Sequence, residues 1–177
     1  LNKKVIKVNG KKELHSKNID VPSDLSSSAF FIVAALIQKD SHLHISNVNI
    51  NPTRDGLIIA LQKMGANILM HNKRISNNEL VCDIEVKESK LSGCVLDESF
   101  AELMIDEYPI LSVAASFASS PSVFKGLAEL RVKESNRLEL IRLNLNNCGV
   151  DCKVLGNDLF INPSENYSIK NSNIETH

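Results

Sequence analysis

The amino-acid sequence predicts an α/β fold made of repeated βαβαββ units, with buried helices inside and sheets plus amphipathic helices outside. Three observations lead to this prediction. Two segments, near 27–38 and 109–118, are apolar on almost every side, which is typical of helices buried inside a domain. Each is followed by a strand pattern, a turn that contains arginine, and an amphipathic helix. The second copy begins 82 positions after the first, counted from Asp24 to Asp106, so a structural repeat is expected.

The first copy follows a lysine-rich stretch at 1–18, whose short alternating segments predict a marginal hairpin. Asp24 or Ser26 is expected to cap the first helix, because such side chains accept hydrogen bonds from the free N–H groups of a first turn. The other predicted elements are a helix near 27–38, a strand at 42–48, a helix that ends at Gly65, and strands near 67–70 and 80–86.

The second copy repeats this order. A short strand near 94–96 leads to Asp106 and to the apolar helix at 109–118. The next amphipathic helix ends at Gly149, because glycine readily adopts the left-handed conformation that closes a helix. The remaining predicted elements are a strand at 122–124, a charged turn at 129–137, and strands near 150–154 and 159–161. The polar segment 162–177 predicts no regular element.

Composition excludes several functional classes. The 177 residues are 43% hydrophobic and 23% charged, as in an ordinary globular domain. The net charge of −1 leaves no global basic field for nucleic acid or for a membrane surface. The longest apolar run, 29–37, is far shorter than the roughly 18 residues of a membrane span. The chain opens with polar residues and shows no hydrophobic signal segment, so a cytoplasmic location is expected.

Familiar cofactor and metal motifs are not found in the sequence. The seven glycines form neither a dinucleotide-binding loop nor a phosphate-binding P-loop. The five histidines show no metal-ligand spacing, and no second cysteine or histidine pair completes a zinc set. The four cysteines, Cys82, Cys94, Cys148 and Cys152, are interpreted as reduced thiols that behave as small apolar residues. The sequence therefore predicts no cofactor and no metal.

The densest polar constellation lies at 129–137. Its charges alternate at first, as in an extended segment, and are then spaced as in a helix from Glu134 to Arg137. Lys133 and Arg137 therefore stand at the start of a helix, where free N–H groups already favour an anion. Arg137 offers a planar fork for a carboxylate or phosphate. Glu134 could transfer a proton if burial raised its pKa. The alternative interpretation is a solvated charged turn.

Carboxylates also precede both apolar helices. Asp106 stands directly before the second one, where a carboxylate commonly interacts with the helix dipole. Because that helix is predicted to be buried, Asp106 is expected where the domain interior opens to a cleft. The equivalent position in the first copy is Asp24, and helix capping explains the serines that follow it. Arg54, in the turn before the next helix, is a weaker candidate for an anion site.

These segments, taken together, resemble a known family. The chain is similar to the EPSP synthases, the 3-phosphoshikimate 1-carboxyvinyltransferases, over about residues 14–177. Among the matching segments, the one at 131–138 is the most specific to this family. The segments that carry the resemblance occur in order and with similar gaps: DVPSDLSSSAFF at 20–31, NPTRDG at 51–56, MGA at 64–66, IDEYPILSVAA at 105–115 and ELRVKESNRL at 129–138.

The resemblance implies an activity and site residues. The family joins the enolpyruvyl group of phosphoenolpyruvate to the 5-hydroxyl of shikimate 3-phosphate by addition and elimination, and releases phosphate. Asp106 matches the carboxylate that accepts the hydroxyl proton and also binds shikimate 3-phosphate. Lys133 matches a lysine that contacts both substrates, and Glu134 the group that protonates the methylene carbon. Arg137 matches an anchor for phosphoenolpyruvate. No metal or organic cofactor is implied, and the partners are the two small substrates.

The resemblance also implies that the chain is part of a longer enzyme, which is expected to be a monomer when full length. The family has two domains, each made of three such units, with the active site between them. Residues 1–20 resemble the tail of the neighbouring domain, and 21–177 most of the domain that carries Asp106 and Glu134. The units are expected at about 21–90 and 91–162, which is about two of the three. The N-terminal substrate motifs have no counterpart here, and the initial Leu1 is read as a cut end.

Two alternatives remain open from the sequence. An enolpyruvyl transferase could act on another acceptor, such as UDP-N-acetylglucosamine, although the cysteine-bearing loop of that sister enzyme is not found. The chain could also be a non-catalytic repeat scaffold that binds a partner or an anion. Continuation of the reading frame on either side would argue against the scaffold.

Overall fold

The structure is a computed structural model of the 177-residue chain, and it describes residues 5–163 and 173–176. It is a mixed α/β fold, as predicted. The helices are α1 (Leu25–Ile37), α2 (Gly56–Lys63), α3 (Ala101–Met104), α4 (Tyr108–Ser116) and α5 (Arg137–Asn147). The strands are β1 (His42–Asn49), β2 (Asn67–Ser76), β3 (Glu79–Lys87), β4 (Val95–Leu96), β5 (Ser122–Phe124), β6 (Asp151–Leu155) and β7 (Asp158–Asn162). Short 3-10 turns lie at Glu98–Phe100, Ile105–Glu107 and Ala128–Arg131.

The strands form two sheets with the same connectivity. In the first sheet the order is β1-β3-β2 with antiparallel pairing, and Ser23 adds a parallel bridge to Val48 on the outer side of β1. In the second sheet the order is β4-β5-β7-β6, and β4 pairs with β5 in parallel. Each sheet thus reads as strand, helix, strand, helix and a closing hairpin. The elements from Ser23 to β3 are called the first unit below, and those from β4 to β7 the second unit.

One continuous core joins the two units. It contains buried side chains from both sheets and from the helices between them, including Ile32, Leu57, Ile84, Leu111 and Leu159. Helices α1 and α4 contact each other in the interior. Buried apolar surface is the main stabilising term of such a fold, so the two units stabilise each other.

Burial of α1 differs from the prediction. The segment was expected to be buried almost all round, but only one face of α1 is, and Phe30 and Phe31 are 60% and 67% exposed. The buried face contains Ala29, Ile32 and Leu36. A helix can be covered only where other elements reach it, and in the described part of the chain α4 and the first sheet cover one side of α1.

Two further predictions are wrong in their local structure. The expected hairpin at 1–18 is not formed in the described residues 5–18, which are exposed and have no regular structure, while 1–4 lie outside the described residues. An isolated hairpin without a hydrophobic face to pack is marginal in water. The segment expected to be extended near 129–133 begins as the 3-10 turn Ala128–Arg131, in which Leu130 is buried. Burial of that leucine, rather than charge alternation, sets the local conformation.

The predicted strands of one hairpin were too short, and a set of short helical turns was not predicted. Strands β2 and β3 extend to Ser76 and Glu79, and the turn between them is Asn77-Asn78 with φ of 49° and 65°. Positive φ at both central residues suits the twist of a tight hairpin, and asparagine tolerates it. The helical turns between Leu96 and α4 were not predicted from the sequence.

Two other predictions can be compared with the structure. All four cysteines are free thiols, and Cys82 and Cys152 are buried, as expected for small apolar residues. Among the residues that the structure describes, every helix is too short or too polar to span a lipid bilayer.

Candidate active site

The structure brings together four charged residues that the sequence singled out. Asp106 lies in the 3-10 turn Ile105–Glu107, and one of its carboxylate oxygens, Oδ1, is 3.3 Å from Lys133 Nζ and 3.1 Å from Arg137 Nη1. Glu134 Oε2 is 2.6 Å from Arg137 Nη2. The set Asp106, Lys133, Glu134 and Arg137 is called the charged cluster below. Because 31 positions separate Asp106 from Arg137, only the tertiary fold creates it.

Two helix starts position the charged cluster. Pro109 lies in the first turn of α4, where its missing N–H costs nothing. The 3-10 turn that carries Asp106 ends directly before α4 begins. Asn136 caps α5, since its side-chain oxygen accepts a hydrogen bond from Glu139 N at 3.2 Å. Arg137 is therefore the first residue of α5, and it faces the 3-10 turn that carries Asp106. The N-terminal end of the helix dipole favours negative charge nearby at both helix starts.

The carboxylates of the charged cluster differ in their surroundings. The side chain of Asp106 is 54% exposed and contacts two cations, so it is accessible to a ligand and anchored at the same time. The side chain of Glu134 is 73% exposed. The backbone N–H of Glu134 lowers the pKa of its carboxyl, and Arg137 and Lys133 add to this effect. Together they outweigh desolvation, which acts to raise the pKa. The pKa of Glu134 is therefore lowered, whereas the proton transfer considered from the sequence requires it to be raised.

The cations are held by carboxylates rather than by solvent alone. A hydrogen bond to Asp106 raises the pKa of Lys133, and Glu129, 3.5 Å away, adds to the effect. Arg131 lies apart from the charged cluster, because its guanidinium binds Asn157 and the backbone of Gly156. Two cations that meet at one point and pair with exposed carboxylates suit an anionic ligand, which could replace those carboxylates. They do not suit a metal cation, because like charges repel.

A second polar network, which the sequence did not predict, lies beside the first. Glu107 follows Asp106 directly and is only 7% exposed, and its carboxylate accepts a hydrogen bond from Ser26 at the start of α1. Arg54 Nη2 donates to Ser26 Oγ at 2.8 Å and lies 3.7 Å from Asp24. Arg54 thus binds the start of α1 in its own unit. Ser26 does not cap α1 but connects the two units through Glu107.

Capping of α1 falls to Asp24, one of the two residues predicted for it. Its Oδ2 accepts from Ser27 N at 2.8 Å and from Ser27 Oγ at 2.9 Å. No sequence signal pairs Ser26 with Glu107, which lie 81 positions apart. The repeat is the feature of the sequence that best indicates this pairing, because Ser26 and Glu107 lie at equivalent helix starts in the two units.

A groove extends from the charged cluster along α5. Its volume is about 640 Å³, and Glu134 and Arg137 lie at its polar end. Pro109 and Val113 of α4 and Leu140 of α5 make most of the wall apolar. Residues 173–176 contribute to the far side and are held there by Asn144, which exchanges two hydrogen bonds of 2.9 Å with the backbone of Glu175. The charged cluster is therefore open to one side.

Comparison with known proteins identifies related sequences and structures. The sequence model of the family described as EPSP synthase (3-phosphoshikimate 1-carboxyvinyltransferase) matches residues 2–177. A 3-phosphoshikimate 1-carboxyvinyltransferase from Pseudomonas sp. (strain PG2982) is 50% identical over 147 residues, which are 83% of this chain and 33% of that protein. The enzyme of the same name from Rhizobium johnstonii is 51% identical over 149 residues, or 84% of this chain and 33% of that protein.

The fold is similar to that of solved structures as well. The structure of EPSP synthase from Acinetobacter baumannii superposes with a TM-score of 0.82 at 41% sequence identity, over 86% of this chain and 34% of that one. The chain spans about a third of the length of the curated relatives that it matches. The similarity covers both units and the charged cluster's segments.

Proposed function

The chain belongs to the EPSP synthase family, and on that premise we propose that it supplies part of the active site for transfer of an enolpyruvyl group. The donor is phosphoenolpyruvate, the acceptor is the 5-hydroxyl of shikimate 3-phosphate, and the products are 5-enolpyruvylshikimate 3-phosphate and phosphate. The observation that carries this proposal is the charged cluster, in which two carboxylates and two cations from separate segments meet at an open groove.

The cations bind the substrates in this proposal. Both substrates carry a phosphate and a carboxylate, so their binding requires several positive groups that are not locked into buried pairs. Lys133 and Arg137 are partly exposed, and among the described residues they pair with accessible carboxylates, which substrate anions can replace. Arg137 anchors phosphoenolpyruvate through its planar fork, and Lys133 contacts both substrates.

The carboxylates move the protons. In the addition step, the oxygen of the 5-hydroxyl bonds to C2 of phosphoenolpyruvate, its proton passes to Asp106, and Glu134 donates a proton to C3. In the elimination step, C3 returns a proton to Glu134, the bond between C2 and the phosphate oxygen breaks, and the departing phosphate takes up the proton held by Asp106. General acid–base groups of this kind contribute about 10²- to 10⁴-fold to a rate. The reaction needs no redox partner, because the electrons of the enol double bond are used and then restored.

The low pKa of Glu134 is compatible with a role as acid once substrate is bound. The backbone N–H of Glu134 contributes most to the lowered pKa of its carboxyl, and Arg137 and Lys133 add to this effect. Substrate phosphate and carboxylate groups would take over these cations and place negative charge beside Glu134. Loss of a cationic partner and gain of a like charge both raise the pKa of a carboxyl. Substrate binding thus favours the protonated form of Glu134, which the addition step needs.

The organisation of the protein is part of the same proposal. Residues 21–177 belong to one enolpyruvyl transferase domain, with units at about 21–90 and 91–162, and 1–20 lead into it from a neighbouring domain. The two sheets of equal strand order support this division. The complete protein acts as a cytoplasmic monomer on its two small substrates.

The first test is activity of the protein expressed from its complete reading frame. Asp106→Asn and Glu134→Gln should each lower kcat by about 10²-fold or more, because each removes a proton-transfer group and keeps the shape of the side chain. Glu139→Gln is the matched control, since this carboxylate also lies on α5 but pairs with Arg142 outside the charged cluster. Near wild-type turnover in both site variants would refute the assignment of their roles.

The acceptor is tested in the same assay. Release of phosphate from phosphoenolpyruvate should depend on shikimate 3-phosphate and should not be supported by UDP-N-acetylglucosamine. The opposite preference would indicate the sister activity. No phosphate release with either acceptor, from a protein whose reading frame ends where this chain does, would indicate a non-catalytic scaffold.

A further inference from the structure

Three potential metal ligands converge on the outer face of the first sheet, away from the elements that carry the charged cluster. They are His44 of β1, His71 of β2 and Asp83 of β3, and one ligand atom from each lies within 4.8 Å of the other two. The ring centroids of His44 and His71 are 5.7 Å apart. Two histidines and a carboxylate are a typical ligand set for zinc and similar ions. Sequence spacing could not indicate this group, because each residue comes from a different strand.

The strand register explains the convergence. Strand β3 is central in the sheet, and His71 lies directly opposite Asp83 across the antiparallel pair. The register shifts beside Asp83 on both flanking strands, between Ile45 and Val48 in β1 and between His71 and Arg74 in β2. Such bulges bend a strand and redirect its side chains.

Asparagines within the bulges fix the carboxylate of Asp83. Asn47 N donates to Oδ1 at 2.9 Å, and Asn72 Nδ2 donates to Oδ2 at 2.9 Å. Both asparagines have positive φ, 55° and 51°, a conformation that asparagine adopts more readily than most residues. Metal-binding carboxylates are commonly held by hydrogen bonds of this kind, which orient them in advance. The carboxylate is therefore positioned before any ligand arrives.

His71 provides an independent observation. Its Nδ1 is buried and has no hydrogen-bond partner in the described part of the chain. A buried polar atom without a partner costs about 1–3 kcal/mol, so such an atom calls for an explanation. Coordination to a metal by one ring nitrogen would fix the tautomer and orientation of this ring.

We propose that His44, His71 and Asp83 bind a divalent transition-metal ion, with Zn²⁺ as the best fit, and that the ion links the three strands of the first sheet. In a tetrahedral zinc site with bonds of about 2.0–2.1 Å, the donors are about 3.3 Å apart, so modest side-chain rotations close the site. Water completes the coordination. Arg74 Nη1, 3.3 Å from Asp83 Oδ1, opposes the ion and limits its affinity.

The test is Zn²⁺ titration by calorimetry at pH 7.5, on untagged protein from the complete reading frame. The wild type should bind one Zn²⁺ per chain at this site, and its melting temperature should rise with Zn²⁺ because the ion binds the folded state. His44→Gln should weaken binding by about 100-fold and abolish the thermal shift, since the ligand is lost. His44 is exposed, so this substitution leaves the fold intact even if His71→Gln does not.

His42→Gln is the matched control. His42 is exposed on the same face of β1, but it bonds to Glu85 at 2.7 Å and is not among the three ligands. This variant should bind Zn²⁺ as the wild type does. Substitution with Co²⁺ should give the visible absorption of a tetrahedral site in the wild type and not in His44→Gln. Absence of Zn²⁺ binding by the wild type, or equal binding by His44→Gln, would overturn the proposal.

Discussion

At the scale of single residues, Glu107 is the carboxylate that most needs hydrogen-bond donors, because it is buried. It is nearly buried, it follows Asp106, and it accepts a hydrogen bond from Ser26 in the other unit. A buried carboxylate needs donors to offset the loss of water. Glu107 therefore couples the position of the turn that carries Asp106 to the start of α1.

A double-mutant cycle measures this coupling. Ser26→Ala should lower the free energy of unfolding by about 1–3 kcal/mol, because Glu107 loses a donor while it stays buried. In Glu107→Gln the effect of the same substitution should be smaller, so the two changes should not be additive. Urea unfolding of the four proteins gives the interaction energy.

An exposed pair provides the control for that cycle. Asp97 accepts a hydrogen bond from Ser99 at the surface, and the cycle of Ser99→Ala with Asp97→Asn should give a weaker coupling. Additive effects at Ser26 and Glu107 would show that the hydrogen bond between the units does not contribute to stability.

At the scale of elements, α1 depends on its cap. Burial acts to raise the pKa of Asp24, but the backbone and hydroxyl donors of Ser27, together with Arg54, outweigh it and lower the pKa. A carboxyl whose pKa is lower in the folded state stabilises the protein above its unfolded pKa, about 3.9. That contribution is lost as the pH falls through the folded-state value.

The predicted consequence is a pH-dependent effect of substitution. Asp24→Ala should destabilise the protein by about 0.5–2 kcal/mol at pH 7, as the loss of a helix cap does. The difference from the wild type should shrink as the pH is lowered from 5 to 3, because the wild-type carboxyl becomes protonated. Urea unfolding across this pH range measures it, with Asp20→Asn as an exposed control. A difference that is constant with pH would contradict the role of the charge.

At the scale of the whole molecule, the two units share one core, so they should unfold together. Each unit contains a buried thiol that can report this, Cys82 in β3 and Cys152 in β6. Burial raises the pKa of both thiols, that of Cys152 to about 12. Because the thiolate is the reactive form, neither should react in the folded protein.

Alkylation followed by peptide mass spectrometry makes the test. As urea increases, Cys82 and Cys152 should become labelled with the same midpoint, because opening one unit exposes the core of the other. Cys148, which is only partly buried, should be labelled before this transition and serves as the control. Two distinct midpoints would mean that the units unfold separately.

Much of the fold could be predicted because its signals are local. Apolar patterning predicted the principal helices and strands of both units. The turn at Gly149 has the positive φ of 86° expected where a helix ends. The short turns before α4 were missed because they contain no periodic pattern. The hairpin predicted in the first 18 residues was wrong because strand propensity without a face to bury does not produce a strand.

The sequence by itself determined the α/β class, the repeat, and the identity of the four charged residues, since residue order and chemical type are sufficient for these. Tertiary structure decided which groups meet. It paired Asp106 with Arg137, Ser26 with Glu107, and His44 with His71 and Asp83. Contacts between segments depend on strand register and helix packing, and these are fixed only when the buried surfaces of distant segments come together.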